Sequence, residues 1–268
     1  MAACLDMTGY RTLPVKSWRN ALLASANDHV AQEVPIALVY NGISQAVMMA
    51  TPLDLEDFAL GFSIAEDIVE NPGEIRAIET ETTDQGIQLH LEISSRRFAA
   101  LKERRRTLAG RSGCGLCGLE SLQQVARPPR KVQHQPPPPA AAVENAVSSL
   151  EYYQPIKSLT GSLHAAAWCG TDGEVLLVRE DVGRHNALDK LIGALAAEKS
   201  PRPDKGFALI SSRAGFEMVQ KASMANIATL IAVSAPTTLA IELANRAGLN
   251  LLGFARPGQY VLYTETEA

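Results

Sequence analysis

Cysteine is scarce in this 268-residue chain, which has four, at positions 4, 114, 117 and 169. Four thiols spread over that length do not make a disulfide framework, and a reducing compartment fits best. No apolar run approaches the roughly 18–20 residues that a membrane span needs. The first ten residues hold no charged stretch followed by an apolar core, so no secretory signal is expected either. Charge of one sign is not in large excess: 25 Lys and Arg against 29 Asp and Glu leave a formal net charge of −4. That balance argues against a general nucleic-acid binder. A repeat of solenoid type is also missing. These absences leave a globular, cytoplasmic protein, 46% hydrophobic and 20% charged. It has room for one large domain or two small ones, with a sizeable core either way.

What is present begins with Cys114-Gly-Leu-Cys117. Four glycines lie within the eleven residues 108–118, so the backbone there can bend sharply and let a partner come close. Upstream, Arg96, Arg97, Lys102, Arg104, Arg105, Arg106 and Arg111 are offset only by Glu103. A cation folded near the thiols favours thiolate, the nucleophilic form. A structural zinc site needs four ligands, and Cys4 and Cys169 stand alone without a CxxC or HxxxH companion. A thioredoxin-like site places its pair between an early strand and a helix, whereas this pair lies mid-chain after a basic helix. A zinc deaminase needs His-x-Glu and Pro-Cys-x-x-Cys, which are not in place. Two incidental buried thiols remain an alternative. Thiol nucleophilic chemistry without metal leads.

The rest of the chain divides at a proline-rich stretch. Residues 1–33 are weakly patterned and are expected to be loosely ordered. Val34–Tyr40 and Ile43–Ala50 read as two strands across Asn41-Gly42, a strong hairpin signal. Thr51-Pro-Leu-Asp54 predicts a helix start with Thr51 as N-cap and Pro52 at the first helical position. Leu55, Phe58, Ala59, Phe62, Ala65 and Val69 give that helix its apolar face. Asp54, Glu56 and Asp57 are accounted for by the helix dipole and need no further role. Strands follow near 76–83 and 88–93, then a basic helix near 95–107. Residues 126–142 contain Pro128-Pro129 and Pro136 to Pro139, and read as a linker or surface strap. The expected parts are therefore an N-terminal α+β part, 34–125, which carries the CxxC loop; the connector; and a C-terminal α/β part, 143–268.

In that last part, strand candidates Glu174–Val178, Phe207–Ile210, Thr229–Val233, Asn250–Gly253 and Tyr260–Tyr263 alternate with helices near 184–198, 216–226 and 237–247. Such alternation argues for an α/β layer with parallel strand pairs, and Gly248 suits the end of the third helix. Polar residues gather where strands end: 179–186, 211–215, 234–238 and 254–259. In open α/β sheets these ends form the ligand crevice, and helix N-termini there favour anions. Arg179, Arg184, Arg213 and Arg256 add donors suited to phosphates, so the edge is expected to take a phosphate-bearing ligand. The opposing reading is that each loop merely caps its helix. His164 and His185 read first as hydrogen-bonded structural residues.

Several segments, taken in order, resemble the formate dehydrogenase accessory sulfurtransferases, the FdhD family. They are Thr51–Phe62, Cys114–Gly118, Thr160–Ala167, Val178–Lys190, Arg213–Ala222, Ala232–Ala240 and Gly253–Arg256. The run Arg179-Glu-Asp-Val-Gly-Arg-His-Asn186 is the most specific of them. Ser162, Gly215 and a longer proline-rich connector depart mildly from the family pattern. The resemblance implies a cytidine-deaminase-like layered α/β core without the zinc, and a homodimer. It also implies a sulfur relay: sulfur is accepted from a cysteine desulfurase and delivered to a Mo-bis(molybdopterin guanine dinucleotide) cofactor, which then enters formate dehydrogenase. Cys114 is the implied persulfide carrier and Cys117 its partner. Phe254, Ala255, Arg256, Pro257, Gly258 and Gln259 are the implied cofactor segment, to which the edge reading adds Ser234 and Arg213. The cofactor is cargo, and no tightly held metal, nucleic acid or membrane is expected. Two other classes stay open: a cofactor-binding chaperone whose thiols are secondary, and a dithiol oxidoreductase cycling a Cys114–Cys117 disulfide.

Overall fold

A computed structural model describes residues 7–108, 128–197 and 205–265 of the chain. Three sheets carry it. The first is an unexpected hairpin, β1 (Tyr10–Arg19) and β2 (Leu22–Ala31), inside the weakly patterned N-terminal stretch. Asn20 and Ala21 turn it with φ of 49° and 63°, the left-handed pair of a type I′ turn. The second sheet has the order β4-β3-β6-β5, from β3 (Val34–Tyr40), β4 (Ile43–Ala50), β5 (Ile75–Thr83) and β6 (Gly86–Ile93). The Asn41-Gly42 turn is where the sequence predicts it, with φ of 45° and 83°. Helices α1 (Leu55–Ala65) and α2 (Ser95–Leu108) belong to this half.

The third sheet has the order β12-β11-β10-β9-β7-β8, from β7 (His164–Cys169), β8 (Val175–Asp181), β9 (Phe207–Ile210), β10 (Thr229–Ala232), β11 (Asn250–Arg256) and β12 (Gln259–Thr264). It is mixed: β9, β10 and β11 pair in parallel, while β7 and β12 pair antiparallel to their neighbours. Both faces are covered, so buried residues alternate between two clusters. Ala208, Ile210, Leu230 and Ala232 join the main cluster with Phe58, Phe62, Leu188 and Leu191. Ala165, Ala167, Leu209, Ile231 and Leu252 join a smaller one with Ala142, Val143 and Ala146. The latter three come from α3 (Ala140–Ser149), a helix in a stretch whose first residues read as connector. The remaining helices are α4 (Pro155–Thr160), α5 (Arg184–Ala196), α6 (Phe216–Met224) and α7 (Thr238–Ala247), the last ending on left-handed Gly248 as its glycine predicts.

The main cluster draws residues from both sides of the proline-rich stretch. That stretch lies on the body as a strap: Val132 N–H donates to Ala247 O at 3.0 Å, and Asn250 Nδ2 donates to Gln135 O at 2.9 Å. The two halves meet where α1 crosses α5. A Cβ at Gly61 would sit 1.7 Å from the Asp189 carbonyl oxygen, and one at Gly193 would sit 1.8 Å from that of Asp57. Only glycine fits at either position, and the pair sets how closely the helices approach.

Helix α1 starts later than its sequence suggests. Its N-cap is Asp54, with φ of 51° and no side-chain capping bond. Thr51 is fully buried, and Val69 is a core residue beyond the helix end. The expected Thr51 cap is corrected by a stronger claim on that residue from the other half of the chain.

Candidate functional site

Strand direction builds the site. β9, β10 and β11 are parallel, and β8 runs with them because β7 opposes both β8 and β9. Their C-terminal ends therefore share one edge, and the start of β7 and the β11–β12 turn lie on it too. The loops there are tied to one another. Ala214 N–H donates to Ala235 O at 3.2 Å, Thr237 N–H to Ala214 O at 3.1 Å, Ser234 N–H to Ser212 O at 3.4 Å, and Phe254 N–H to Ser234 O at 3.2 Å. Four loops far apart in sequence are thus brought together as the strand-end reading predicts, and three of them are linked by hydrogen bonds.

At one end of the edge lie Arg213, Ser234 and residues 254–259. Phe254 takes a φ of 52° while its ring stays 38% exposed. A left-handed backbone is costly for a bulky residue and is held here by the bond to Ser234. Pairing between β11 and β12 shifts register between Gly253 and Arg256, and Gly258 turns the chain with φ of 78°. Arg256, Pro257, Gly258 and Gln259 are exposed, as are Ser234 and Arg213. Ala255 is buried, so it offers only its backbone to a ligand. Neither the Arg213 nor the Arg256 guanidinium has an ion-pair partner among the described residues. Both are free to meet an anion.

At the other end, β8 feeds α5 through a buried polar knot. Asp181 and Lys190 are both fully buried and pair at 2.7 Å. Asp181 Oδ2 also accepts Thr51 N–H at 3.0 Å, and its Oδ1 accepts Gly183 N–H at 2.8 Å and Asn186 Nδ2 at 3.0 Å. Lys190 Nζ donates to Thr51 O at 2.9 Å, and Val182 N–H donates to Thr51 Oγ1 at 3.1 Å. The knot fixes the loop from Asp181 to Asn186 against the chain leaving β4. A second buried set backs it: Lys221 pairs with Asp189 at 2.9 Å and Glu66 at 3.0 Å, bridging α6, α5 and the end of α1. Burial alone would lower the Lys221 pKa, but the two carboxylates outweigh it and raise it, while burial raises that of Asp189.

On that fixed loop stand Arg184 and His185, with His164 at the start of β7 paired to Asp181 in register. His185 Nε2 lies 3.7 Å from Glu217 Oε2, and the ring holds that carboxyl below the ordinary range. Burial, then the Arg184 charge, push the His164 imidazole below its ordinary value. The two histidines therefore both lie along this edge.

Arg179 needs a correction. It is not a phosphate donor: its Nη2 pairs with Asp57 Oδ2 at 2.7 Å, and its Nε lies 3.5 Å from Asp54 Oδ1. The carboxylates of α1 thereby acquire a role beyond the helix dipole, as anchors of β8. Sequence reasoning also missed the Asp181–Lys190 pair. Its signal was a lysine lodged between Leu188 and Leu191 in the apolar stripe of α5.

Cys4, Cys114 and Cys117 lie outside the described residues. Cys169 ends β7 fully buried, and burial pushes its thiol up to about 12, far from a reactive thiolate. Among the described residues no group of three His, Cys, Asp or Glu is placed to hold a metal ion, and no helix is long and apolar enough to cross a membrane.

A family model described as the FdhD/NarQ family matches residues 31–268. The chain is 51% identical over 258 residues to a sulfur carrier protein FdhD of Cupriavidus necator, covering 96% of this chain and 89% of that protein. It is 52% identical over 244 residues to a protein of the same name from Bordetella petrii, covering 91% and 87%. Its fold matches the crystal structure of a putative formate dehydrogenase accessory protein from Desulfotalea psychrophila, with a TM-score of 0.74 at 21% identity, over 95% of this chain and 96% of that one.

Proposed function

The chain belongs to the FdhD/NarQ family, and on that footing we propose that it carries sulfur to a molybdenum cofactor on its way into formate dehydrogenase. In this reading a cysteine desulfurase presents a persulfide, and the Cys114 thiolate attacks its outer sulfur. The donor's S–S bond breaks, its cysteine leaves as thiolate, and Cys114 keeps the sulfur as S–SH. Cys117 is the second thiol that takes over or releases that sulfur. The acceptor is Mo-bis(molybdopterin guanine dinucleotide), held as substrate along the sheet edge. Phe254–Gln259, Ser234 and Arg213 receive its guanine and phosphate groups. The protein acts as a cytoplasmic homodimer. The deaminase-like layering belongs to the same reading, supported by the six-stranded sheet with helices on both faces.

One observation carries the cofactor half: four strand-end loops on a single edge, with two unpaired arginines and an exposed, left-handed Phe254. The sulfur half is supported by the names of the relatives at about half identity. The test is mass spectrometry after incubation with a cysteine desulfurase and cysteine. The expected result is the added mass of one sulfur atom on Cys114, removable by reductant. Sulfur found only on Cys4 or Cys169 would overturn the relay.

A further inference from the structure

The β1–β2 hairpin is an arm that its own chain leaves largely uncovered. Its two ten-residue strands run for about 33 Å at roughly 3.3 Å per residue. A two-stranded hairpin is marginally stable in water by itself, so an arm of this length calls for a surface to lie on. The body supplies little of one. Helix α4 lies beside β2, and the foot is clamped where Gly9 N–H donates to Gln32 Oε1 at 3.2 Å and Gln32 N–H to Gly9 O at 2.9 Å. Most of the other side chains are exposed, Leu22 to 73%, Trp18 to 69% and Leu23 to 64%.

The pattern of those side chains describes what covers them. Register places Leu13, Val15, Leu22, Ala24, Ala26 and Val30 on one face, with Arg19 at its tip end. That face runs down to a groove of about 280 Å³ at the foot, lined by Leu13, Val30, Val34 and Gln32, with Glu33 beside them. Gln32 is buried, and its Nε2 has no hydrogen-bond partner among the described residues. A buried donor left open calls for an acceptor. Charge differs from end to end. Between Thr12 and Asn27 the arm carries Lys16 and Arg19 and no carboxylate, while Asp28 and Glu33 sit at the foot with Arg11. An apolar face that is positive at its tip and keeps its carboxylates at its foot is complementary to itself when reversed. Twenty residues of arm also match the roughly 20–30 residues a side of a standard interface.

We propose that a second copy of this chain covers the arm, the two arms lying antiparallel about a two-fold axis so that each tip enters the other's foot groove. Leu22 packs on the partner's Leu13 and the partner's Val30, and Arg19 meets the partner's Glu33. Trp18 and Leu23 rest on the rim of the groove, and a carbonyl of the Asn20-Ala21 turn accepts the open Nε2–H of the partner's Gln32. Val15 and Ala26 lie near the axis. A two-fold contact makes each of these interactions twice. The inference rests on the homodimer reading and gives that dimer its contact surface. A second copy is favoured over a lipid surface because the apolar residues extend along the arm instead of being confined to its tip.

Sedimentation equilibrium of the full-length protein measures the dimer. Tryptophan emission on dilution follows the arm, since the chain's other tryptophan, Trp168, is buried. The wild-type protein should be a dimer whose emission moves to longer wavelength as it dissociates. Leu22→Asp should raise the dimer dissociation constant about thirtyfold or more, the loss of a central contact made twice. Arg19→Glu and Glu33→Arg should each raise it about three- to tenfold, and the double variant should restore it. Recovery on a second charge reversal cannot come from misfolding, so the swap decides the matter should Leu22→Asp fold poorly. A wild-type dimer unmoved by Leu22→Asp and by either reversal would place the contact elsewhere: the arm proposal fails and the homodimer reading stands. A wild-type protein that is monomeric at every concentration overturns both. A double variant that stays weak overturns the tip-to-foot arrangement. A monomer whose Trp18 emission moves to shorter wavelength only on phosphatidylglycerol vesicles would assign the arm to a lipid surface and overturn the proposal as well.

Discussion

Replacing Lys190 by methionine tests whether the buried knot at Asp181 holds the edge in place. Methionine keeps most of the side chain's length and apolar stem, so the change removes little packing and one charge. The lost contacts are the 2.7 Å pair to Asp181, the 2.9 Å bond to Thr51 O and a longer one, 3.5 Å, to Glu180 O. Asp181 would then be a carboxylate with no counter-ion at full burial. Breaking a buried pair from one side costs about 3–5 kcal/mol, because the remaining charge stays desolvated. Asp181 keeps three N–H donors, from Thr51, Gly183 and Asn186, which places the expected cost near the lower end of that range, about 3 kcal/mol. Urea unfolding should show it as a lower midpoint at unchanged slope. Asp181→Asn in the Lys190→Met background should restore part of the loss, since the pair is then replaced by neutral groups. A Lys190→Met variant within about 1 kcal/mol of wild type, outside the range for a broken buried pair, would refute the reasoning.

Gly61→Ala forces a Cβ to within 1.7 Å of the Asp189 carbonyl, so α1 and α5 must part by more than 1 Å. Thermal unfolding should drop by about 6 °C or more, and a shift under about 1 °C would mean that the helices do not cross there. Arg256→Ala should weaken guanosine diphosphate binding by about 1.5–3 kcal/mol in calorimetry. Unchanged affinity would move the guanine end of the cofactor away from Phe254–Gln259.

Local signals in this chain were legible wherever a residue's role was set by its neighbours in sequence. Asn41-Gly42 turned as read because a type I′ turn needs only two residues with positive φ. Phe207–Ile210 matched its strand because an apolar run covered on both faces needs no alternation to announce itself. The β1–β2 hairpin escaped for the opposite reason. Most of its residues are exposed, so no buried face imposes a period of two, and Ala21 stands where a glycine would have marked the turn. Thr51 escaped because its partner, Asp181, is 130 residues away. A threonine before Pro-Leu-Asp reads as a cap until a buried carboxylate claims its backbone. Arg179 escaped the same way: its charge was visible, but its distant partners Asp57 and Asp54 were not. The edge itself was legible as a set of loops, while its division into free and occupied cations was not.

That division bears on how a sulfur carrier is built. A persulfide is exchanged by thiolate attack, so its cysteine must reach a donor protein and afterwards an acceptor. In the proposed function the acceptor has to be held still meanwhile, and the described residues offer a rigid edge for it. Arg179, Lys190 and Lys221, three cations from the second half, are each bound to a carboxylate, and Arg179 and Lys221 reach carboxylates of the first half. Lys190 reaches the first half through the carbonyl of Thr51. Arg213 and Arg256 have no such partners among the described residues and stand exposed along the edge. One group of cations fastens the two halves together and the other faces outward. None of these contacts involves a thiol, so under the proposed function cofactor affinity and sulfur loading would rest on different atoms and could be lost one at a time.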